Sequence, residues 1–486
     1  MNLLILSCHS FQILFALGVL FMATHIEASS SSSKVEYLPG FEGPLPFELE
    51  TGYIGLGESD DDDDMQVFYY FVKSENNPQK DPLMLWLSGG PGCSSFSGLV
   101  NQIGPIAFEK KEYNGSIPSL ILRPQSWTKL SNIMFADLPF GTGFSYAKNV
   151  TSLRSDRKLV HHVHQFIRKW LIDHPEFLLN EFYIGGDSYA GIPVPAVVQE
   201  ISNGNEKALQ PLINLKGYLL GNPVTTGKEK NDRISYAHGM GLISNELYES
   251  LQQNCKGEYI DVNSKNALCL RDLKSFDKCL VGIKMSHILD RYCEDEPHLW
   301  RRSLTQEFKE SLSYHFTVPV PDLNCQIYKF YLNEKWANEE RVRKALHIRE
   351  GTIKKWKRCY RNDFEFYIPN SVEFHVNLSK KGFRSLIYSG DHDLVVPFLS
   401  TQAWIKSLNY SIVDDWRSWL IKDQVAGFSM RNTIKICTVH CILNTERNLS
   451  IFLLQILIKC PLSLSCIERG IKETICNHFK GLSKTN

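Results

Sequence analysis

Between Glu181 and Gly191 the chain reads Glu-Phe-Tyr-Ile-Gly-Gly-Asp-Ser-Tyr-Ala-Gly, a short apolar run that meets a glycine pair, a serine and then residues suited to a helix. Few folds accommodate such a passage. A strand that turns abruptly into a helix holds the Ser188 hydroxyl clear of its own backbone, and Gly186 and Ala190 leave room for the strand and helix to cross closely. Ser188 is therefore the candidate nucleophile. A motif this short more often marks an ordinary serine in a glycine-rich turn, so Ser188 needs partners elsewhere in the chain.

Two segments offer them. Leu85 to Ser95 reads Leu-Trp-Leu-Ser-Gly-Gly-Pro-Gly-Cys-Ser-Ser, an apolar strand ending in a glycine turn. In an α/β-hydrolase one oxyanion-hole N–H belongs to the residue after the nucleophile and another to a glycine-rich loop elsewhere in the sheet. Tyr189 and Gly90 fit those positions. Ser385 to Pro397, Ser-Leu-Ile-Tyr-Ser-Gly-Asp-His-Asp-Leu-Val-Val-Pro, is a strand that ends in a turn carrying two acids. A strand end late in the chain, after the serine, is where a triad carboxylate sits. Each segment alone is also compatible with a plain strand and turn.

Strand signals at Gln66 to Val72, Leu83 to Leu87, Asn132 to Asp137, Phe182 to Ile184, Leu215 to Leu220 and Leu386 to Tyr388 alternate with helical stretches. Ser155 reads as an N-cap, and Leu159, Val163, Phe166, Ile167, Trp170 and Leu171 follow at the spacing of one buried helical face. Such alternation predicts an α/β fold with a mostly parallel central sheet covered by helices on both faces. Residues from about 226 to 339 break the rhythm with helical sequence carrying Cys255, Cys269, Cys279, Cys293 and Cys325, and read as a lid inserted over the site.

Together these segments resemble the serine carboxypeptidase family, in particular its plant branch of serine carboxypeptidase-like proteins. The resemblance runs from about Lys34 to about Gly427. It includes Trp86 to Ser95, Asp137-Leu-Pro-Phe-Gly-Thr-Gly-Phe-Ser-Tyr146, Gly185 to Gly191, Gly217-Tyr-Leu-Leu-Gly-Asn-Pro223, Trp336-Ala-Asn338 and Gly390 to Asp393. It implies an α/β-hydrolase fold with a disulfide-stapled lid, Ser188 as nucleophile, Asp393 orienting the base, and Gly90 and Tyr189 as the oxyanion hole. It also suggests the pairs Cys93 with Cys359 and Cys255 with Cys269; sequence alone does not fix connectivity.

Two departures from the family pattern stand out. The catalytic histidine is expected in a glycine-rich loop soon after Gln424-Val-Ala-Gly427, yet the histidines that remain, His440 and His478, have no glycine beside them. Without a base a serine hydroxyl is a weak nucleophile near neutral pH. Residues 428–486 read as a divergent tail with five cysteines and an apolar run from Leu449 to Ile458. A retained intron or altered splice product would explain the switch, and a sheet edge would lose its cover. The second departure concerns substrate. The family's carboxypeptidases hold a peptide carboxylate with an asparagine before the glycine loop, a glutamate before the serine and a further acid; here Ser88, Asp187 and Gln102 stand there, with Gly89 beside them. Ser88 with Asp187 looks like the branch that includes acyltransferases using 1-O-glucose esters. Peptide hydrolysis and acyl transfer share one acyl-serine intermediate and differ in the acceptor.

Composition bounds the remaining classes. The 486 residues carry 53 basic and 53 acidic side chains and are 43% hydrophobic, enough for a large core and without the basic field that nucleic acid demands. Residues 1–28 hold an apolar stretch from Phe11 to Met22, shorter than the roughly 20 residues of a spanning helix, and read as a secretory signal rather than an anchor, with no membrane partner. Sequons at Asn114, Asn149, Asn377, Asn409 and Asn448 fit a secreted or vacuolar glycoprotein, and that context makes disulfides the default for the 13 cysteines. The acidic run Asp60 to Asp64 lacks the interleaved spacing of a calcium loop and reads as a solvated hairpin tip. Cys437-Thr-Val-His-Cys441 is too compressed for a zinc site. No cofactor or metal is expected, and Ser29 to Ser33 reads as a flexible mature terminus.

Overall fold

The computed structural model describes residues 31–57, 65–147, 154–293, 321–360, 363–421, 424–433 and 436–441. The putting together of the sheet begins with β1 (Ser31–Val35), β2 (Leu49–Leu56) and β3 (Met65–Val72), which pair antiparallel. The chain then crosses to β4 (Leu83–Leu87), passes a small hairpin of β5 (Ile106–Phe108) and β6 (Leu120–Leu122), and returns as β7 (Asn132–Ala136). After the short β8 (Tyr146–Ala147) and β9 (Arg154–Ser155) come β10 (Phe182–Asp187) and β11 (Leu215–Gly221). The last strands are β12 (Phe364–Glu365), β13 (Arg384–Gly390), β14 (Ile412–Ile421), β15 (Gln424–Asn432) and β16 (Ile436–Cys441).

One twelve-stranded sheet results, in the order β1-β2-β3-β7-β4-β10-β11-β13-β16-β15-β14, with β8 attached to β3. The strands from β7 to β16 along this order run parallel, and both flanks are antiparallel. Parallel strands buried on both faces need continuous apolar sequence. In β4 every residue is buried: Leu83, Leu85 and Leu87 point to one core layer and Met84 and Trp86 to the other. The helix α1 (Asp156–Asp173) covers the first of these layers with Leu159, Val163, Phe166, Ile167, Trp170 and Leu171, and its N-cap Ser155 accepts the Lys158 N–H at 3.2 Å. The helix α2 (Pro193–Glu206), which leaves the Ser188 turn, packs beside it through Val194, Val197, Val198 and Ile201. This is the mostly parallel, helix-covered sheet that the alternation predicts and the α/β-hydrolase arrangement that the resemblance implies.

Several expectations meet a different outcome. Ser31 to Ser33 belong to β1 and register with Thr51 to Tyr53, so that part of the serine tract is paired backbone rather than a loose terminus. The sheet also continues past Gly427. β16 pairs parallel with β13 and antiparallel with β15, and buries Ile436 and Val439. A strand therefore stands beside β13 where cover was expected to be lost; the sheet edge is β14, on which Ile412, Val413, Trp416 and Leu420 are exposed. Residues 1–28, the acidic run at 60–64, the apolar run at 449–458 and His478 lie outside the described residues. Among the described residues no helix is long and apolar enough to cross a membrane.

The helical insertion contains α3 (Arg233–Gly239), α4 (Asn245–Cys255) and α5 (Ala267–Cys279). Cys255–Cys269 ties α4 to α5, as the resemblance implies, and Cys93–Cys359 forms as well. A third bridge joins Cys293 to Cys325, while Cys279 is free and exposed. The membership of β16 in the sheet is testable. Ile436→Ala, at a position 1% exposed, should lower unfolding free energy by about 2–5 kcal/mol in denaturant titration, whereas an Ile on an unpacked tail would lose almost nothing.

Candidate active site

The parallel strands deliver their C-terminal ends to one edge of the sheet, where the candidate residues meet. β10 ends at Asp187, and Ser188 begins a 3-10 turn with φ of 57°, a left-handed conformation that few non-glycine residues adopt. Main chain holds it there. The Ser188 carbonyl accepts the Val224 N–H at 3.0 Å. On the other side lies the glycine turn after β4: a Cβ on Gly89 would meet the Asp187 carbonyl at 2.5 Å, Ser188 Cβ at 2.8 Å and the Tyr189 nitrogen at 2.9 Å. Only glycine permits this approach. It brings the Gly89–Gly90 turn against Ser188 and Tyr189, the two segments that carry the candidate oxyanion donors.

The glycine turn is itself anchored. Tyr360 N–H donates to the Gly92 carbonyl and Ser94 N–H to the Arg358 carbonyl, both at 2.7 Å, beside the Cys93–Cys359 bridge. Asp137 accepts from the Ser94 hydroxyl and, at 3.0 Å, from Phe144 N–H. Burial pushes its carboxyl up to about 7, and those donors hold it from rising further. The sequence motif around Asp137 thus supports the loop below the site.

Asp393 sits in the turn after β13. Its Oδ1 accepts Val395 N–H at 2.7 Å and Val396 N–H at 3.1 Å, and its Oδ2 accepts the Asn222 side-chain amide at 2.9 Å. Burial of the carboxyl raises it to about 6 against the pull of these donors and of Arg233. Asn222 follows β11 with φ of 42° and donates its own N–H to the Tyr388 carbonyl at 2.8 Å. The Gly221-to-Val224 segment therefore contacts both the acid turn, through Asn222, and the serine turn, through Val224. Asn222 had no role assigned from sequence; the signal was an asparagine at a strand end, where a left-handed residue suits it.

Asp187 and Gln102 form a second arrangement. Asp187 Oδ1 accepts Gly89 N–H at 3.3 Å, and its Oδ2 accepts the Gln102 amide N–H at 3.1 Å. The Trp86 indole N–H donates to Gln102 Oε1 at 3.0 Å, which fixes the amide with its nitrogen toward Asp187. Burial raises the Asp187 carboxyl, opposed by Gly89 N–H and Gln102. The buried Ser88 hydroxyl has no partner among the described residues. Tyr189 also lies edge-on to Phe364 at 6.0 Å and to Phe366 at 5.7 Å between ring centres, and Phe366 is 54% exposed. Sequence reading passed over that aromatic wall.

β16 ends at Cys441, registered opposite Gly390, and the backbone of His440 is opposite Ser389. His440 is thus a strand residue rather than part of a loop beyond the strand. Of the sequon asparagines, Asn114, Asn377 and Asn409 are exposed, whereas Asn149 and Asn448 lie outside the described residues. No group of three or more potential metal ligands occurs among the described residues.

A parallel sheet with a serine turn, a glycine loop and a buried acid at one edge defines an α/β-hydrolase. The family model for serine carboxypeptidase matches residues 39–441. The chain belongs to that family. Serine carboxypeptidase-like 19 of Arabidopsis thaliana is 51% identical over 433 residues, covering 86% of this chain and 91% of that protein. Serine carboxypeptidase-like 11 of the same plant is 51% identical over 418 residues, covering 85% and 89%. Among solved structures, KEX1(delta)p, a prohormone-processing carboxypeptidase from Saccharomyces cerevisiae, superposes with a TM-score of 0.67 at 20% identity, covering 87% of this chain and 94% of that one; this likeness speaks for the fold.

The close approach at Gly89 makes a sharp test. Gly89→Ala should destabilise the protein by about 1–3 kcal/mol, as overpacking does, read as a lower thermal midpoint. Gly239→Ala, where an added Cβ meets nothing within 4 Å, should leave the midpoint unchanged or slightly raised.

Proposed function

We propose that this site is built for acyl transfer from 1-O-glucose esters through an acyl-serine, in preference to release of C-terminal residues from peptides. The observation that carries this reading is the hydrogen bonding of Asp187. A site for a peptide carboxylate needs donors, or a proton shared between acids. Here Gln102 replaces the second acid, and its amide is turned by Trp86 so that it donates to Asp187. Asp187 accepts from Gly89 N–H and from the Gln102 amide and has no second acid bonded to it among the described residues, so the shared proton that would bind a peptide carboxylate has no partner acid here. Ser88, whose buried hydroxyl has no partner among the described residues, stands where the carboxypeptidases carry an asparagine, so the amide donor of their carboxylate clamp is missing. Phe364 and Phe366 beside Tyr189 offer an apolar wall to an acyl group.

In this reading Ser188 Oγ attacks the ester carbonyl and gives its proton to a general base. The oxyanion forms against the Gly90 and Tyr189 N–H groups and glucose leaves with the proton; an alcohol then gives its proton to the base and attacks the acyl-serine, and Ser188 Oγ leaves and takes that proton back. Asp393 orients the base and stabilises it once protonated. Residues 1–28 direct the protein to the secretory pathway, for secretion or the vacuole, and the insertion at about 226–339 covers the site.

A second reading has its own support: the chain is a catalytically impaired glycoprotein. Residues 428–486 contain no glycine-flanked histidine, and His440 lies on β16. Loss of a triad member lowers kcat by roughly 10⁴-fold or more. The unmodified chain should therefore show negligible labelling of Ser188 by a serine-directed phosphonate. Burst release of product that His440→Ala abolishes would show that the strand histidine serves as base. When the residues after Val439 are replaced by a glycine-rich histidine loop and the family's closing segment, transfer from a glucose ester should outpace release of C-terminal amino acids. Efficient carboxypeptidase activity without transfer to any alcohol would overturn the acyl-transfer reading.

A further inference from the structure

The helical insertion grips the acid turn from several sides. Leu394, 0% exposed, packs into the insertion's own apolar cluster with Ile234, Leu251 and Phe276. Leu394 N–H donates to the Met285 carbonyl at 2.8 Å, and Ile288 N–H donates to the His392 carbonyl at 2.9 Å. The Tyr236 hydroxyl donates to the Asp391 carbonyl. At the centre is Arg233 on α3, 8% exposed, whose guanidinium donates to the Val395 carbonyl from Nε at 3.3 Å and Nη2 at 2.9 Å. That same Val395 gives its N–H to Asp393.

We propose that Arg233 is a positioning residue for the candidate triad acid, and that the insertion, besides covering the site, fixes the place and the charge of Asp393. Two effects act through one side chain. The guanidinium fixes the Val395 residue whose N–H holds Asp393 Oδ1, so the carboxylate keeps its orientation as the surrounding helices move. Its charge also favours the ionised carboxyl, which burial otherwise disfavours. Among the charges that hold the buried Arg233 protonated, Asp393 exerts the largest influence, ahead of Glu229 and Asp277. The other ionisable groups around this point are Lys230 on the segment before α3, Tyr236 on α3, and Asp391 and His392 in the turn, with His287 packed against His392 at 4.9 Å between ring centres. Arg233 differs from these in holding Val395 directly.

This inference rests on Asp393 as the acid that orients the base, and it is tested on ionisation rather than turnover, so that its failure leaves that reading standing. An acid raised to about 6 on folding loses stability as pH rises from the unfolded carboxylate range toward 6, after which the loss levels off. Thermal midpoints of the full chain between pH 4 and 8, compared with Asp393→Asn, isolate this component. With Arg233→Met the Asp393-dependent fall should extend upward by up to about one pH unit, and Arg233→Lys, which keeps the charge, should restore its upper limit to near 6. An unchanged limit in Arg233→Met would overturn the proposal, since a purely structural arginine lowers the midpoint at every pH equally. Should Arg233→Met not fold, Arg233→Gln, which keeps a donor for the Val395 carbonyl but carries no charge, should extend the Asp393 limit upward in the same way, and no movement would overturn the proposal.

Discussion

Backbone contact between the Gly89–Gly90 turn and the start of the Ser188 turn determines the geometry of the site. There is no space at Gly89 for a Cβ, and the opposite side of Ser188 is closed by the Val224 N–H. A positive φ at serine costs on the order of 1–3 kcal/mol. The neighbouring parallel strands β4, β10 and β11 over-determine it. Main chain rather than side-chain packing thus sets the backbone of Ser188 and the direction in which its Cβ leaves the turn.

Around that fixed point the acids divide into distinct environments. Asp137, Asp187 and Asp393 are all raised by burial, and each is restrained by N–H or hydroxyl donors. Asp137 braces a loop. Asp187 is engaged by Gln102 and the glycine turn, while Asp393 is held from two strand ends and from the helical insertion. The same carboxyl group thus serves as loop brace, partner of the glycine turn and candidate triad acid according to which donors surround it. With Gln102 beside it, Asp187 accepts an amide N–H that is itself oriented by the Trp86 indole.

The central strands were legible because burial on both faces leaves an unbroken apolar run, and Ser188, Gly90 and Asp393 were legible because each lies at or just beyond a strand end. β14 was not. As the edge strand it exposes Ile412, Val413, Trp416 and Leu420, so neither face imposes a period of two. β1 was missed because serines have little strand preference of their own; pairing with β2 overrides it. Asn222 and Arg233 escaped because their meaning depends on Asp393 and Val395, more than 150 residues away in sequence. The bridge from Cys293 to Cys325 is likewise a connectivity that spacing does not encode.

The bond between Cys93 and Cys359 joins positions separated by 266 residues, one just after the glycine turn and the other just before the aromatic wall of Phe364 and Phe366. One covalent link therefore joins the candidate oxyanion loop to the segment that leads to the rings packed on Tyr189. A nascent chain has to extend past Cys359 before this pair can meet, so oxidation of these two thiols reports a long-range closure rather than a local turn. In a reducing compartment the glycine loop and this segment would be left to their hydrogen bonds and to ring packing such as Phe96 against Trp356, so the stiffness of this border depends on the redox state in which the protein matures.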